Sequence, residues 1–163
     1  MFLDKLYPNK MIASVYELNW EELSERYGGV MFDIDNTLVP HGAPATPKAI
    51  RLFERIQGLG MKTMLVSNNR EARVKPFAEQ VHTEYVYKAG KPKKKGYQRG
   101  LKLMGTDAEH TLFIGDQIYT DIWGANLTGM DTILTEPVDP STDEIQIVVK
   151  RWFEKPFRRE KKR

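Results

Sequence analysis

The stretch that decides the fold is Gly28-Gly29-Val30-Met31-Phe32-Asp33-Ile34-Asp35-Asn36-Thr37-Leu38. An apolar run bounded by glycines and ending abruptly in charge reads as a buried parallel strand whose C-terminal end opens onto a crevice. That end carries two carboxylates two residues apart. An ionised aspartate beside a hard cation such as Mg²⁺ is a nucleophile for phosphorus, because the cation offsets repulsion by the anionic substrate. Asp33 fits this role. A second carboxyl just past the strand can protonate a leaving alkoxide and then deprotonate the water that hydrolyses an aspartyl phosphate, which fits Asp35. Alone, Asp-x-Asp-Asn reads more readily as the start of a solvated turn. The rest of the chain shifts that balance.

Working outward, further β-like runs lie near 63–66, 85–87, 111–114 and 132–134, with the first near 30–34. Helical patterns fill the gaps. Thr46-Pro47 is an N-cap followed by proline at the first helical position, and Ala49, Ile50, Phe53 and Ile56 recur at helical spacing until Gly58 and Gly60. Val74, Phe77, Ala78 and Val81 mark a second helix in which Pro76 predicts a kink or a late start. Residues 93–104, 118–127 and 142–153 read as three more helices. The alternation predicts an α/β fold: a doubly wound, Rossmann-like parallel sheet of about five strands with helices on both faces.

In such a sheet all strand ends share one edge, so the residues that follow each strand can be compared. Ser67-Asn68-Asn69 follows the second strand and offers a hydroxyl and amides that bind phosphoryl oxygens without adding negative charge. Gly90-Lys91-Pro92 follows the third and places a cation on a stiffened loop. Gly115-Asp116 follows the fourth, where glycine permits close approach and Asp116 completes an oxygen-rich Mg²⁺ site. Asp121 orients that site from behind. Lys88 and residues 93–95 compete with Lys91 for the phosphate-binding role; Pro92 favours Lys91.

Composition narrows the classes. The chain has 163 residues, 40% hydrophobic and 29% charged, and reads as one soluble domain over 1–163, with an apolar lead-in at 1–27 and a basic C-terminal tail at 150–163. With no cysteine and three histidines, disulfides and thiolate metal sites are excluded, and zinc chemistry has few ligands. No apolar run is long enough for a spanning helix or a secretory signal, so a cytoplasmic setting is expected. Residues 150–163 hold eight basic and two acidic residues, +6, against +3 for the whole chain. Such a tail attracts anionic lipid surfaces or nucleic acid, and residues 88–99 form a second basic cluster. The lead-in, with Leu6, Tyr7, Val15, Tyr16 and Trp20, is expected to pack on the core; any exposed part would suit a lipid interface.

With these motifs in view, the sequence resembles the haloacid dehalogenase (HAD) superfamily of aspartyl-phosphate phosphatases. Asp33, Asp35 and Thr37 meet its Asp-x-Asp-x-Thr pattern, Ser67 its Ser/Thr motif, Lys91 its Lys motif, and Asp116 with Asp121 its acidic motif. The wording Asp-Asn-Thr-Leu, Ser-Asn-Asn and Gly-Asp-Gln-x-x-Thr-Asp resembles subfamily IIIA, a branch that includes phosphatidylglycerophosphate phosphatases. The resemblance implies a nucleophilic Asp33, an acid–base Asp35, and Mg²⁺ held by Asp33, the Asp35 carbonyl and Asp116. It also implies phosphate binding by Ser67, Asn68 and Lys91, with Thr37 and Asp121 in support. Only 31 residues separate Asp35 from Ser67 and 23 separate Ser67 from Lys91, so no cap domain fits in either gap. An open site suits a phospholipid headgroup. The alternatives are a soluble ester, such as a sugar acid phosphate or a nucleic-acid end, and an RNA- or ribosome-binding module that has no need of both Asp33 and Asp35.

Overall fold

The computed structural model describes residues 2–162. Its centre is β2 (Gly29–Phe32), buried at every position, which pairs in parallel with β3 (Lys62–Val66) on one side and β5 (Thr111–Gly115) on the other. β4 (Glu84–Val86) extends the sheet beyond β3, and β6 (Asp131–Thr135) extends it beyond β5. A short β1 (Lys10–Ile12) pairs with the outer edge of β6. Among the described residues the sheet therefore has six strands rather than about five, all parallel, in the order β1-β6-β5-β2-β3-β4. β1 escapes sequence reading because it is a three-residue edge strand beginning with an exposed lysine, too short to show alternation.

Alternation within the strands feeds two separate cores. Val30, Phe32, Leu65 and Ile114 point to one face, where α2 (Pro47–Gly58) and α3 (Glu71–Val81) pack through Phe53, Ile56, Val74 and Phe77. Met31, Met64, Val66 and Phe113 point to the other, against α4 (Lys94–Met104) and its Tyr97 and Met104. Helices on both faces are what a parallel sheet requires, because neither face can meet water. The lead-in packs as expected: Val15, Leu18 and Trp20 are buried, and Trp20 starts α1 (Trp20–Arg26), capped by Asn19. Trp20 touches Phe32 at 5.9 Å, and Phe32 touches Phe53 at 5.2 Å. Each such buried ring contributes about 2 kcal/mol of transfer free energy.

Of the two alternatives for α3 the late start does not occur, since the helix begins at Glu71 and carries Pro76 inside. Two other helices differ from their expected form. The segment expected as one helix over 118–127 is a single π-helical turn, Ile118–Ile122, followed by α5 (Trp123–Thr128). The wider turn allows Ile118, Asp121 and Ile122 all to be buried, and such turns recur at functional sites. The last helix, α6, spans Ile145–Glu154 rather than 142–153, because Pro140–Thr142 forms its own 3₁₀ turn, capped by Asp139.

The winding fixes where a ligand goes. From β2 the chain moves outward through β3 and β4, then returns to β5 on the other side, so the switch in direction falls between β2 and β5. The C-terminal ends of these two strands deliver Asp33 and Asp116 side by side.

Candidate active site

Asp33 is the first residue beyond β2; its N–H still donates to the Ile114 carbonyl of β5 at 3.0 Å, which holds it at the sheet edge. Lys91, beyond β4, reaches under the edge and donates from Nζ to Asp33 Oδ1 at 2.9 Å and to Asp121 Oδ1 at 2.6 Å. Asp121 is placed there by the π-helical turn and accepts from the Gln117 N–H at 3.2 Å. Gly115 makes room for it: a Cβ at this position would lie 2.5 Å from the Asp121 carboxyl group. Asp116 is fully buried, with Oδ1 taking the Thr37 hydroxyl at 2.9 Å.

Carboxylate oxygens of Asp33, Asp116 and Asp121 all lie within 4.8 Å of one another. Burial, and then the Asp121 charge, pushes the Asp33 pKa up to about 6 against the opposing pull of Lys91. Burial and the Asp33 charge push Asp116 up to about 7 despite Arg151, and burial also raises Asp121. On Lys91 burial works against the charge, but the Asp121 and Asp33 carboxylates outweigh it and hold the ammonium protonated. Three buried carboxylates thus face two cations, Lys91 and Arg151. An all-oxygen cluster short of positive charge fits a hard divalent ion.

Asp35 is held differently. Its Oδ1 accepts from the Gly42 N–H at 2.7 Å and from Arg73 at 2.9 Å, and its Oδ2 from Asn69 Nδ2 at 3.0 Å. Burial raises its pKa, but the Gly42 N–H and the Arg73 charge outweigh that, and the net position is below the ordinary carboxylate value. The Asp35 carboxyl therefore lies outside the metal-competent cluster and is ionised at rest.

Ser67 and Asn68 stand at the end of β3. Ser67 Oγ accepts from the Asn69 N–H at 3.1 Å, which shapes the turn. Asn68 grips the Lys91 backbone in both directions, accepting its N–H at 2.8 Å and donating to its carbonyl at 3.1 Å. Its amide thus positions the lysine loop. Lys88, Lys93, Lys94 and Lys95 are exposed, whereas Lys91 is 6% exposed and lies on the carboxylates.

Asp33, Asp35, Ser67, Asn68 and Lys91 open onto a common cleft of about 340 Å³. Among the described residues no inserted domain covers it: only α2 and β3 separate Asp35 from Ser67, and only α3 and β4 separate Ser67 from Lys91. One wall comes from α6 through Gln146, Ile147 and Lys150. A larger cleft of about 690 Å³, lined by Asn9, Tyr27 and Asp131, sits at the opposite, N-terminal edge of the sheet and holds no such constellation. Asp33, Asp35 and Lys91 all line the smaller one.

Sequence reading missed the groups that brace this site. Arg151 of α6 donates to Asp116 Oδ2 at 2.6 Å and to the Asp116 carbonyl at 3.0 Å, and is itself gripped by Asp143 at 2.5 Å. Asn36, in the left-handed region at φ 59°, donates to Asp143 Oδ1 at 2.7 Å. A continuous polar chain therefore runs Thr37–Asp116–Arg151–Asp143–Asn36. In the sequence Arg151 is one of many basic residues in a charged tail, and nothing marks it. Asn36 is legible in part, since asparagine is among the few residues at ease with a positive φ.

A buried carboxylate at the switch point of a parallel sheet, with an ammonium on it and metal-competent carboxylates beside it, defines a phosphoric monoester hydrolase. Residues 41–129 match the family described as haloacid dehalogenase-like hydrolase. The chain belongs to that family. It is 40% identical over 136 residues to "Probable phosphatase YqeG" of Bacillus subtilis (strain 168), covering 82% of this chain and 79% of the relative. It is 23% identical over 168 residues to "Phosphatidylglycerophosphate phosphatase 1, chloroplastic/mitochondrial" of Arabidopsis thaliana, covering 91% of this chain and 48% of that protein. In fold it is similar to the cobalt-bound deoxy-D-mannose-octulosonate 8-phosphate phosphatase of Haemophilus influenzae. That likeness has a TM-score of 0.54 at 12% identity and covers 69% of this chain and 70% of that one.

Proposed function

We propose that residues 1–163 form one Mg²⁺-dependent phosphatase domain that works through an aspartyl phosphate on Asp33 and releases phosphate from phosphatidylglycerophosphate. The observation that carries the chemistry is the buried cluster of Asp33, Asp116 and Asp121, with Lys91 on Asp33 and Asp121, beneath an uncapped cleft that Asp33 and Lys91 line. Asp33, the Asp35 carbonyl and Asp116 would hold the ion, which supplies charge neutralisation when bound.

The steps follow from the side chains. Lys91 and Ser67 bind the transferring phosphoryl group, and Lys91 shields Asp33 from it. An Asp33 oxygen attacks phosphorus and the P–O bond to the leaving alkoxide breaks. Because Asp35 is ionised at rest, it takes its proton from the phosphomonoester, whose second pKa near 6 leaves a proton-bearing fraction, and passes it to the leaving oxygen. The same carboxylate then accepts a proton from the water that cleaves the acyl phosphate, which restores Asp33 and frees phosphate. Asp121 and Asn68 keep Lys91 in place, while Thr37 and Arg151 keep Asp116 in place.

Three observations support the lipid substrate: an uncapped cleft, the basic residues around it, and the similarity to the plant phosphatidylglycerophosphate phosphatase. The proposed contact is peripheral, at the cytoplasmic face; among the described residues no helix is long and apolar enough to cross a membrane. The test is phosphate release from phosphatidylglycerophosphate in mixed micelles, a sugar acid phosphate and a nucleotide, each with and without Mg²⁺. Release from the lipid should exceed the others by an order of magnitude and vanish in excess chelator and in Asp33→Asn. Equal rates across the panel would remove the lipid assignment, and undiminished release in Asp33→Asn would remove the mechanism.

A further inference from the structure

Helix α6 is built inside out. Its inward side is polar: Arg151 reaches Asp116, and the buried Glu154 accepts the Tyr119 N–H at 3.0 Å. Its outward side is apolar, with Ile145 81% exposed, Val148 54%, Val149 50%, Trp152 63% and Phe153 56%. These positions recur three, four, seven and eight residues apart, so they form one continuous stripe along the helix. A helix whose partners are only its own protein and water has the opposite polarity. An exposed apolar stripe of this kind marks an interaction surface. It also lies next to the chemistry, because Gln146, Ile147 and Lys150 of the same helix wall the catalytic cleft.

The surrounding charge selects the partner. Lys150 and Lys155 are exposed on the helix and just past it, while Arg151 and Arg158 are committed to Asp116, Asp143 and Glu136. Lys88, Lys93, Lys94 and Lys95 are exposed at the same edge of the sheet, after β4 and at the start of α4. A second copy of the chain docked symmetrically on α6 would press two such positive collars together. A nucleic acid would use the collar and leave the stripe in water. A bilayer containing anionic lipid satisfies both features, because the apolar side chains enter the acyl boundary while the basic groups meet the headgroups.

We propose that α6 is an interfacial helix that seats the protein on an anionic lipid surface and turns the catalytic cleft toward phosphate borne on a lipid headgroup. The role of the cleft there rests on the phosphatase reading above; the docking itself involves no turnover. Trp152 and Phe153, in edge-to-face contact at 5.0 Å, are the main anchors, aromatic groups suited to the boundary between headgroups and acyl chains.

Flotation of the full chain with phosphatidylcholine vesicles, with and without phosphatidylglycerol, tests the proposal. The protein should float with the anionic vesicles, and binding should weaken steeply as salt is added. Val149→Ser combined with Trp152→Ser, both outside the cleft lining, should cut partitioning by roughly ten-fold or more while hydrolysis of p-nitrophenyl phosphate is unchanged. Ile145→Ser, at the far end of the stripe, should give a smaller loss in the same direction. Failure to float with anionic vesicles, or equal flotation of the double variant, would overturn the proposal. So would gel filtration showing a dimer that the double variant converts to monomer, or tRNA binding that the same variant abolishes. If the vesicles bind as expected while p-nitrophenyl phosphate is not hydrolysed, the docking stands and the phosphatase reading is what fails.

Discussion

Arg151 on the C-terminal helix donates to Asp116 Oδ2 at 2.6 Å, so a carboxylate of the metal-competent cluster is braced by a residue from outside the sheet. Removing one partner of a buried ion pair leaves an uncompensated charge, at a cost of about 3 kcal/mol. Arg151→Gln should lower the melting temperature most in chelator and much less in Mg²⁺, where the ion takes over part of the compensation. It should also raise the Mg²⁺ concentration needed for half-maximal turnover. Arg151→Lys, which keeps the charge but loses the forked geometry, should fall between the two. Calorimetry with a Mg²⁺ titration of activity checks both.

The metal-free protein should lose stability as the pH rises. Asp33 and Asp116 are raised from 3.8 to about 6 and about 7, and Asp121 is raised as well, so the folded state binds more protons than the unfolded one across that interval. More protons on the folded side mean that unfolding free energy falls with pH, from the ordinary carboxylate range until about pH 7. Melting curves in chelator should shift downward between pH 4 and pH 7 and then level off. Mg²⁺ competes with those protons, so its stabilising effect should grow over the same interval.

Lys91→Met should do more than slow the reaction. It removes the ammonium that Asp33 and Asp121 share and leaves two buried carboxylates facing each other. The expected loss is at least about 100-fold in kcat, together with about 3 to 5 kcal/mol of stability near neutral pH. Acid should relieve the stability loss, because the carboxylates then take up protons, while activity stays low. Thermal melts at pH 5 and pH 8 separate the two effects.

Gly115→Ala tests the packing behind the site. The new methyl would have to occupy space within 2.5 Å of the Asp121 carboxyl, so Asp121 moves and Lys91 moves with it. Overpacking of this kind costs about 1 to 3 kcal/mol. Turnover should fall by about ten-fold or more with little change in KM for a small ester, because the loss is in positioning and not in access.

The parts legible in the sequence were those whose chemistry is local. Val30-Met31-Phe32 ending at Asp33 announces a buried strand and a reactive edge, and Thr46-Pro47 announces a helix start that the structure places where expected. What stayed hidden depends on distant partners. β1 becomes a strand only because β6 offers it an edge, and the wide turn at 118–122 answers to the need to bury Asp121 against Lys91. Asn68 reads as a phosphate ligand because amides bind anions, yet its hydrogen bonds go to the Lys91 backbone. Arg151 is the clearest case: surrounded by solvated basic residues, its function is set by Asp116 and Asp143, neither of which lies on the same helix.

The path Thr37–Asp116–Arg151–Asp143–Asn36 has a consequence for how the enzyme matures. During synthesis Asp33 and every motif around it emerge before the arginine that steadies Asp116. A nascent chain halted ahead of α6 would carry a complete set of signature residues around an unbraced, highly charged hole. Competence therefore waits on α6, because the motifs translated before it lack the brace that Arg151 supplies.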